Sequence, residues 1–330
     1  MTLHTIEAGS ASDCVTFLQW AQRDVKAVIT LMRSESTRPQ EIAGAINFKW
    51  IFPEISCQGS ICSFSRPAYG IAYNSRPMAR RLHCPGVFQP CREDRMHKVE
   101  IPQSVVDRVV ARRGSAHPHA NLDPERTALI VVDLQNGFMM KGVAHALCEE
   151  AIDIVPNVNK LADAVRRTGG KVFWIKNTHD AECLTSWSHM HAMSSPAQQQ
   201  KRVEAMSEGT LGHQLWADLD VQPGDETVQK TRYSALIQGS SDLEARLRAG
   251  GYDTVLITGT MTNVCCESTA RDAMMLNFKT IMVSDGNATA TDEEHNASLI
   301  AMYLIFGDVM DTDFLIGCLE RNQVLKQAAE

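Results

Sequence analysis

The sequence predicts an α/β fold: a doubly wound, mostly parallel sheet with helices on both faces. Three observations point there. Short apolar runs rich in β-branched residues recur from Thr127 onward, and segments with apolar residues at helical spacing separate them. The runs are apolar at consecutive positions rather than alternate ones, as befits strands buried on both faces.

In chain order, Thr127–Asp133 (TALIVVD) is the first strand. Asn157–Arg167 sets Val158, Leu161, Ala162 and Val165 at helical spacing and stops at Gly169-Gly170. Lys171–Lys176 (KVFWIK) is the second strand. A long loop is expected over residues 177–209, holding His179, Trp187, His189 and His191. Asp225–Gln229 leads a third strand toward Lys230. Ser241–Ala249 reads as a helix capped by Ser240 or Ser241 and closed by Gly250-Gly251. Thr254–Thr258 (TVLIT) is the fourth strand, Cys265–Leu276 a helix, and Lys279–Ser284 the fifth strand. Thr291 caps a helix reaching Phe306, and Asp308–Met310 forms a brief last strand.

Composition limits the function. Hydrophobic residues make up 44% and charged residues 22% of the 330, as in an ordinary globular protein. A net charge of -7 argues against a nucleic-acid partner, which calls for a basic surplus. No apolar run reaches the roughly 20 residues of a membrane span. Met1–Trp20 carries no basic leader followed by an apolar stretch, so a cytoplasmic location is expected. In that setting the ten cysteines read as reduced thiols rather than a disulfide framework.

Residues 1–95 stand apart. They hold 11 Lys+Arg and 8 Asp+Glu, a surplus of 11 − 8 = +3, against 21 − 31 = −10 for the remainder. One short helix is expected around Val15–Met32, followed by a stretch broken by Pro53, Pro67, Pro77, Pro85 and Pro90, with no periodicity that would build a core. Met96, followed by His97-Lys98-Val99-Glu100-Ile101-Pro102, reads like a natural beginning. The expected organisation is therefore a 1–95 extension, disordered or upstream of a native start at Met96, and a 96–330 domain. A small accessory domain is the alternative.

In parallel sheets, ligands gather beyond the carboxyl ends of the strands. That rule selects Asp133 after the first strand, Lys230 after the third, and the Gly259–Cys265 turn after the fourth. A cysteine at a strand–turn–helix junction meets unpaired backbone N–H groups and the positive end of a helix dipole, which favour a thiolate and could hold an oxyanion. Alone, each of the three has an ordinary reading: an inert buried cysteine, a turn-capping aspartate, a solvated lysine. Together they supply nucleophile, proton acceptor and positive charge at adjacent strand ends.

Asp133-Leu134-Gln135-Asn136-Gly137-Phe138, Lys230-Thr231-Arg232-Tyr233-Ser234-Ala235 and Thr258–Ala273 resemble the three signature segments of the isochorismatase-like cysteine hydrolases. The resemblance spans about Asp123–Glu320. It implies a triad of Asp133, Lys230 and Cys265, and a cis peptide between Thr260 and Met261 that turns the N–H groups of Met261 and Cys265 toward an oxyanion. It also implies a homo-oligomer and hydrolysis of a C–N bond in a small amide or ureido substrate through a thioester. Cys266 departs from the family's usual aliphatic residue; adjacent helical side chains point about 100° apart, so it is assigned to packing.

Within the family, the motifs are most similar to ureidoacrylate and N-carbamoyl amidohydrolases. Gln135, Asn177 and Tyr233 are candidates to hydrogen-bond a planar ureido or carboxylate group. Phe138 and Trp174 are candidates for an apolar wall, although sheet core is the simpler reading of Trp174. Arg232 stays open between substrate and a structural or subunit contact. Nicotinamidase-like relatives bind a metal through an Asp-x-His pair, where this chain has Asn177-Thr178-His179; no metal and no other cofactor are expected. His179, His189 and His191 are assigned to a polar, mobile loop. Vinyl-ether hydrolysis of an isochorismate-like substrate and a catalytically silent binding protein are the competing readings.

Overall fold

The computed structural model describes residues 55–58, 61–64 and 96–329. Strands β1 (Ile55–Gln58) and β2 (Ile61–Phe64) pair antiparallel, with Cys57 in register with Cys62. The sequence had suggested no strand there. The helix expected around Val15–Met32 lies outside the described residues, as does the rest of the proposed 1–95 extension.

From residue 96 the chain builds one six-stranded parallel sheet. Its strands are β3 (Thr127–Val132), β4 (Lys171–Asn177), β5 (Glu226–Lys230), β6 (Thr254–Thr260), β7 (Lys279–Ala288) and β8 (Asp308–Met310). Their order is β5-β4-β3-β6-β7-β8. The chain thus steps outward from β3 through β4 to β5, crosses back to the other side of β3 as β6, and steps outward again. β3 and β6 flank the reversal, where a doubly wound sheet opens a crevice at its carboxyl edge.

Helices cover both faces, and the strand pleat divides the core accordingly. Leu129 and Val131 of β3 join one apolar cluster with Val158, Leu161 and Val165 of one helix and Leu315 and Leu319 of another. Ala128, Ile130 and Val132 face the opposite cluster, with Val105, Val109, Leu243, Leu247, Ala270 and Leu299. All six β3 residues are buried, which is why the run reads as continuous rather than alternating. Each such Leu, Ile or Val contributes about 1.5–3 kcal/mol through burial.

In chain order the helices are α1 (Gln103–Arg113), α2 (Asn136–Met139), α3 (Val155–Arg167), α4 (Cys183–Ser186), α5 (Ser188–Ala192), α6 (Pro196–Met206), α7 (Leu243–Ala249), α8 (Glu267–Met275), α9 (Asp292–Ala301) and α10 (Thr312–Ala329). Thr291 caps α9 as expected, its hydroxyl accepting from the Glu294 N–H. Helix α1, with two buried valines, and helix α10 have no counterpart in the expectations above. The stretch 177–209 is a correction: it is no long loop but carries α4, α5 and α6. No described helix is long and apolar enough to cross a membrane. Cys148, Cys183, Cys265, Cys266 and Cys318 are free and buried.

Candidate active site

Three strand ends bring the candidate side chains together. Asp133 follows β3 with φ 57°, a left-handed conformation that aspartate tolerates better than most residues. Its N–H still bonds Ile175 O (3.1 Å), so the β-ladder holds its backbone. Opposite, Gly259 has φ 120°, and an added Cβ would sit 2.0 Å from Val132 O. Only glycine lets β6 end this close to β3. Immediately after it, the Thr260–Met261 peptide is cis.

Lys230, the last residue of β5, joins the other two. Its Nζ lies 2.8 Å from Asp133 Oδ2, and both side chains are 0% exposed. It also donates to Arg232 O at 2.9 Å and to Cys265 Sγ at 3.5 Å. These added acceptors matter, because an isolated buried ion pair rarely recovers its desolvation cost. Cys265 and Asp133 lie near enough for each to shift the other's ionisation.

Cys265 does not open the helix, as the sequence suggested. It lies in a wide turn, Thr262–Cys266, and α8 begins only at Glu267. Thr269 Oγ1 donates to Cys265 O (2.7 Å) and accepts from the Ala235 N–H (3.1 Å), which ties this turn to the segment after Lys230. Cys266 is 0% exposed, and its thiol points to Thr258 O at 3.8 Å, inside the core.

The expected bias toward a resting thiolate is also corrected. Burial pushes the Cys265 thiol far up, and Asp133 raises it further, against the pull of Lys230. Burial raises the Asp133 carboxyl too, opposed by Lys230, Cys265 and Asn177. Lys230 is held above its ordinary value: burial acts downward, but Asp133 and Cys265 outweigh it. The resting arrangement is a protonated thiol beside a lysine-paired carboxyl of enhanced basicity.

The remaining candidates divide. Asn177 is buried, lies near enough to Asp133 to oppose the rise of its pKa, and leaves Oδ1 without a hydrogen-bond partner among the described residues. Tyr233 lies close enough for Cys265 and Lys230 to influence its ionisation, though burial is the largest cause of its raised pKa. Gln135 is not free for substrate. Its amide accepts from Asn177 N (2.7 Å) and donates to Asn177 O (3.2 Å) and His213 O (3.0 Å), bracing β4 instead. Phe138 is a core residue, edge-on to His145 at 4.9 Å. Trp174 is also core, its Nε1 donating to Asp225 (2.8 Å).

The 178–209 segment covers the residues after Lys230. Trp187 stacks on His179 (6.0 Å, 8°), meets Tyr233 edge-on (4.7 Å), and lies under the Arg232 guanidinium (5.1 Å). Arg232 also donates to Ser186 O at 3.1 Å, so it serves structure here. His179 and His191 are each 2% exposed and 5.5 Å apart, whereas His189 is exposed. His179 and His191 are packed side chains, not members of a polar mobile loop. Sequence reasoning missed the roles of Trp187 and Thr269; a tryptophan amid polar residues was the one available signal. Among the described residues, no group of three His, Cys, Asp or Glu side chains could hold a metal ion.

Residues 127–314 match the isochorismatase domain. A Bacillus subtilis protein described as the uncharacterized isochorismatase family protein YwoC is 32% identical over 201 residues, 58% of this chain and 94% of that one. The ureidoacrylate amidohydrolase RutB of Acinetobacter baylyi is 30% identical over 228 residues, 65% of this chain and 92% of its own. The crystal structure of a cysteine hydrolase from Pseudomonas syringae superposes with a TM-score of 0.55 at 28% identity, covering 61% of this chain and 96% of that one. The chain belongs to the isochorismatase family.

Proposed function

We propose that the protein is a cysteine-dependent amidohydrolase that cleaves a C–N bond in a small amide or ureido (N-carbamoyl) substrate. One observation carries the reading: Lys230 Nζ stands 2.8 Å from Asp133 Oδ2 and 3.5 Å from Cys265 Sγ, so one buried ammonium joins the carboxyl and the thiol. The similarity to an enzyme named ureidoacrylate amidohydrolase supports the substrate class.

Asp133 takes the Cys265 proton as sulfur bonds to the substrate carbonyl carbon, and the C=O electron pair moves onto oxygen. A carboxyl whose pKa burial has raised is a better acceptor for that proton than a solvated one. Backbone N–H groups of Met261 and Cys265 hold the oxyanion. The carbonyl re-forms, the C–N bond breaks, and Asp133 returns the proton to the departing nitrogen. Water then attacks the thioester carbon and gives a proton to Asp133, and the departing sulfur recovers it. Lys230 stays charged throughout and keeps Asp133 and Cys265 in place. Asn177 Oδ1 and Tyr233 contact the substrate.

An ammonia-release screen across ureido acids, primary amides and nicotinamide tests the proposal. Turnover of a ureido acid or primary amide is expected. Absence of release from every member of the panel at high enzyme concentration rejects it.

A further inference from the structure

The chain just after Met96 runs beside the first turns of α9 and is bonded to it. The Lys98 N–H donates to Asp292 Oδ1 (3.3 Å), the Glu100 N–H donates to Asn296 Oδ1 (2.6 Å), and Asn296 Nδ2 returns a bond to Lys98 O (2.8 Å). His97 is the side chain this strap inserts. It is 5% exposed, its Nδ1 lies 2.7 Å from Asp292 Oδ1, and its Nε2 lies 3.0 Å from both the backbone N and the backbone O of Thr289. Its ring stacks on His295 at 4.5 Å and 19°.

His295 is 0% exposed and faces two partners. Ser284 O, 3.0 Å from Nε2, can only accept, so Nε2 carries the proton. Nδ1 therefore accepts from the Thr262 hydroxyl at 2.9 Å. Two more bonds reach the same place: Ser298 Oγ donates to Thr262 O (3.3 Å), and Thr289 Oγ1 donates to Asn263 Oδ1 (2.8 Å). Thr262 and Asn263 are the two residues directly after Met261. The strap thus reaches the turn by two routes, His97–His295–Thr262 and His97–Thr289–Asn263.

We propose that His97 and His295 are positioning residues for the Met261–Cys265 turn, and that the strap of residues 97–100 clamps them. Held this way, the turn keeps its N–H groups where negative charge develops on the substrate oxygen. A displacement of about 1 Å at such a site costs on the order of a hundredfold in rate. This inference rests on the amidohydrolase reading of the site. If the two histidines only packed α9, their loss would lower stability without singling out the chemical step.

The full-length chain carries the test. His295 lies in the core, so His97→Ala is the first variant, joined by Thr262→Val and Thr262→Ser. His97→Ala is expected to lower kcat roughly tenfold to a hundredfold with KM within about twofold, the pattern of an interaction made only in the transition state. Thr262→Val is expected to show the same split, and Thr262→Ser, which keeps the hydroxyl, to recover most of the loss. In substrate-free His97→Ala, hydrogen–deuterium exchange is expected to speed up over residues 260–266 while β3 and β5 stay as in the wild type. Unchanged exchange in that turn overturns the proposal, and so does a variant with lowered thermal stability and unaltered kcat. Failure of the wild type to turn over any substrate would instead count against the amidohydrolase reading, and the exchange measurement would still decide the strap.

Discussion

The carboxyl rim of the sheet and the segment that covers it are built by different means. At the rim, Asp133, Lys230 and the Gly259–Cys265 turn are positioned by neighbouring strands whose backbone ladders leave no freedom of register. In the cover, the Trp187 ring is held by side-chain contacts: a stack on His179, an edge contact with Tyr233 and a guanidinium overhead. The rim fixes which chemistry is possible, and the cover sets how tightly the site closes over it. Damage to the two should therefore look different.

Breaking the rim should have the largest effect. Lys230→Met leaves the buried Asp133 carboxyl unpaired, and removing one partner of a buried pair costs about 3–5 kcal/mol. Both a loss of that size in denaturant unfolding and loss of turnover are expected. Asp133→Asn should also abolish turnover, since the amide cannot take the thiol proton. A Lys230→Met protein as stable and active as the wild type would show that the pair does not organise the site.

Opening the cover should be milder. An aromatic edge contact is worth about 0.5–1.5 kcal/mol and a cation–π contact about 0.5–1 kcal/mol. Trp187→Ala should therefore raise KM by about tenfold, the equivalent of roughly 1.4 kcal/mol, with a smaller fall in kcat. A kcat loss as severe as that of the rim variants would erase the distinction between the two regions.

Both regions also share a pH dependence. Burial is the main cause that pushes His145 and His179, around the cover, down to about 3, and His213 and His295 down to about 4. Their folded values lie below the unfolded value of about 6.5, so the unfolded chain binds more protons between those limits. Stability is then fully present above about pH 6.5 and declines as pH falls toward 4. Melting temperature should be lower at pH 5 than at pH 7.5; a flat profile would mean that these imidazoles are not buried as described.

The same contrast explains what could be read from the sequence. β3 and β6 were legible because burial on both faces forces runs such as TALIVV and TVLIT, and Asp133 stood out because it directly follows one of them. The glycine at 259 and the cis peptide after it fall in one of the segments that carry the family resemblance. Helices α4 to α6 were not legible, since short helices held by Trp187, His179 and Met206 show little apolar periodicity. Gln135 misled for a related reason: an amide at a strand end suits a ligand and a backbone brace equally well, and only the positions of Asn177 and His213 decide between them. The pKa of Cys265 depends on how deeply the fold buries it, a property no local motif states.

The two adjacent thiols give the most direct test. Cys265 accepts from Lys230 Nζ, while Cys266, one residue away, bonds Thr258 O in the core. Turnover of the best substrate from the ammonia-release screen should be compared for Cys265→Ala and Cys266→Ala. The account predicts no detectable turnover for the first and most of the wild-type rate for the second. Substantial ammonia release by Cys265→Ala would contradict it.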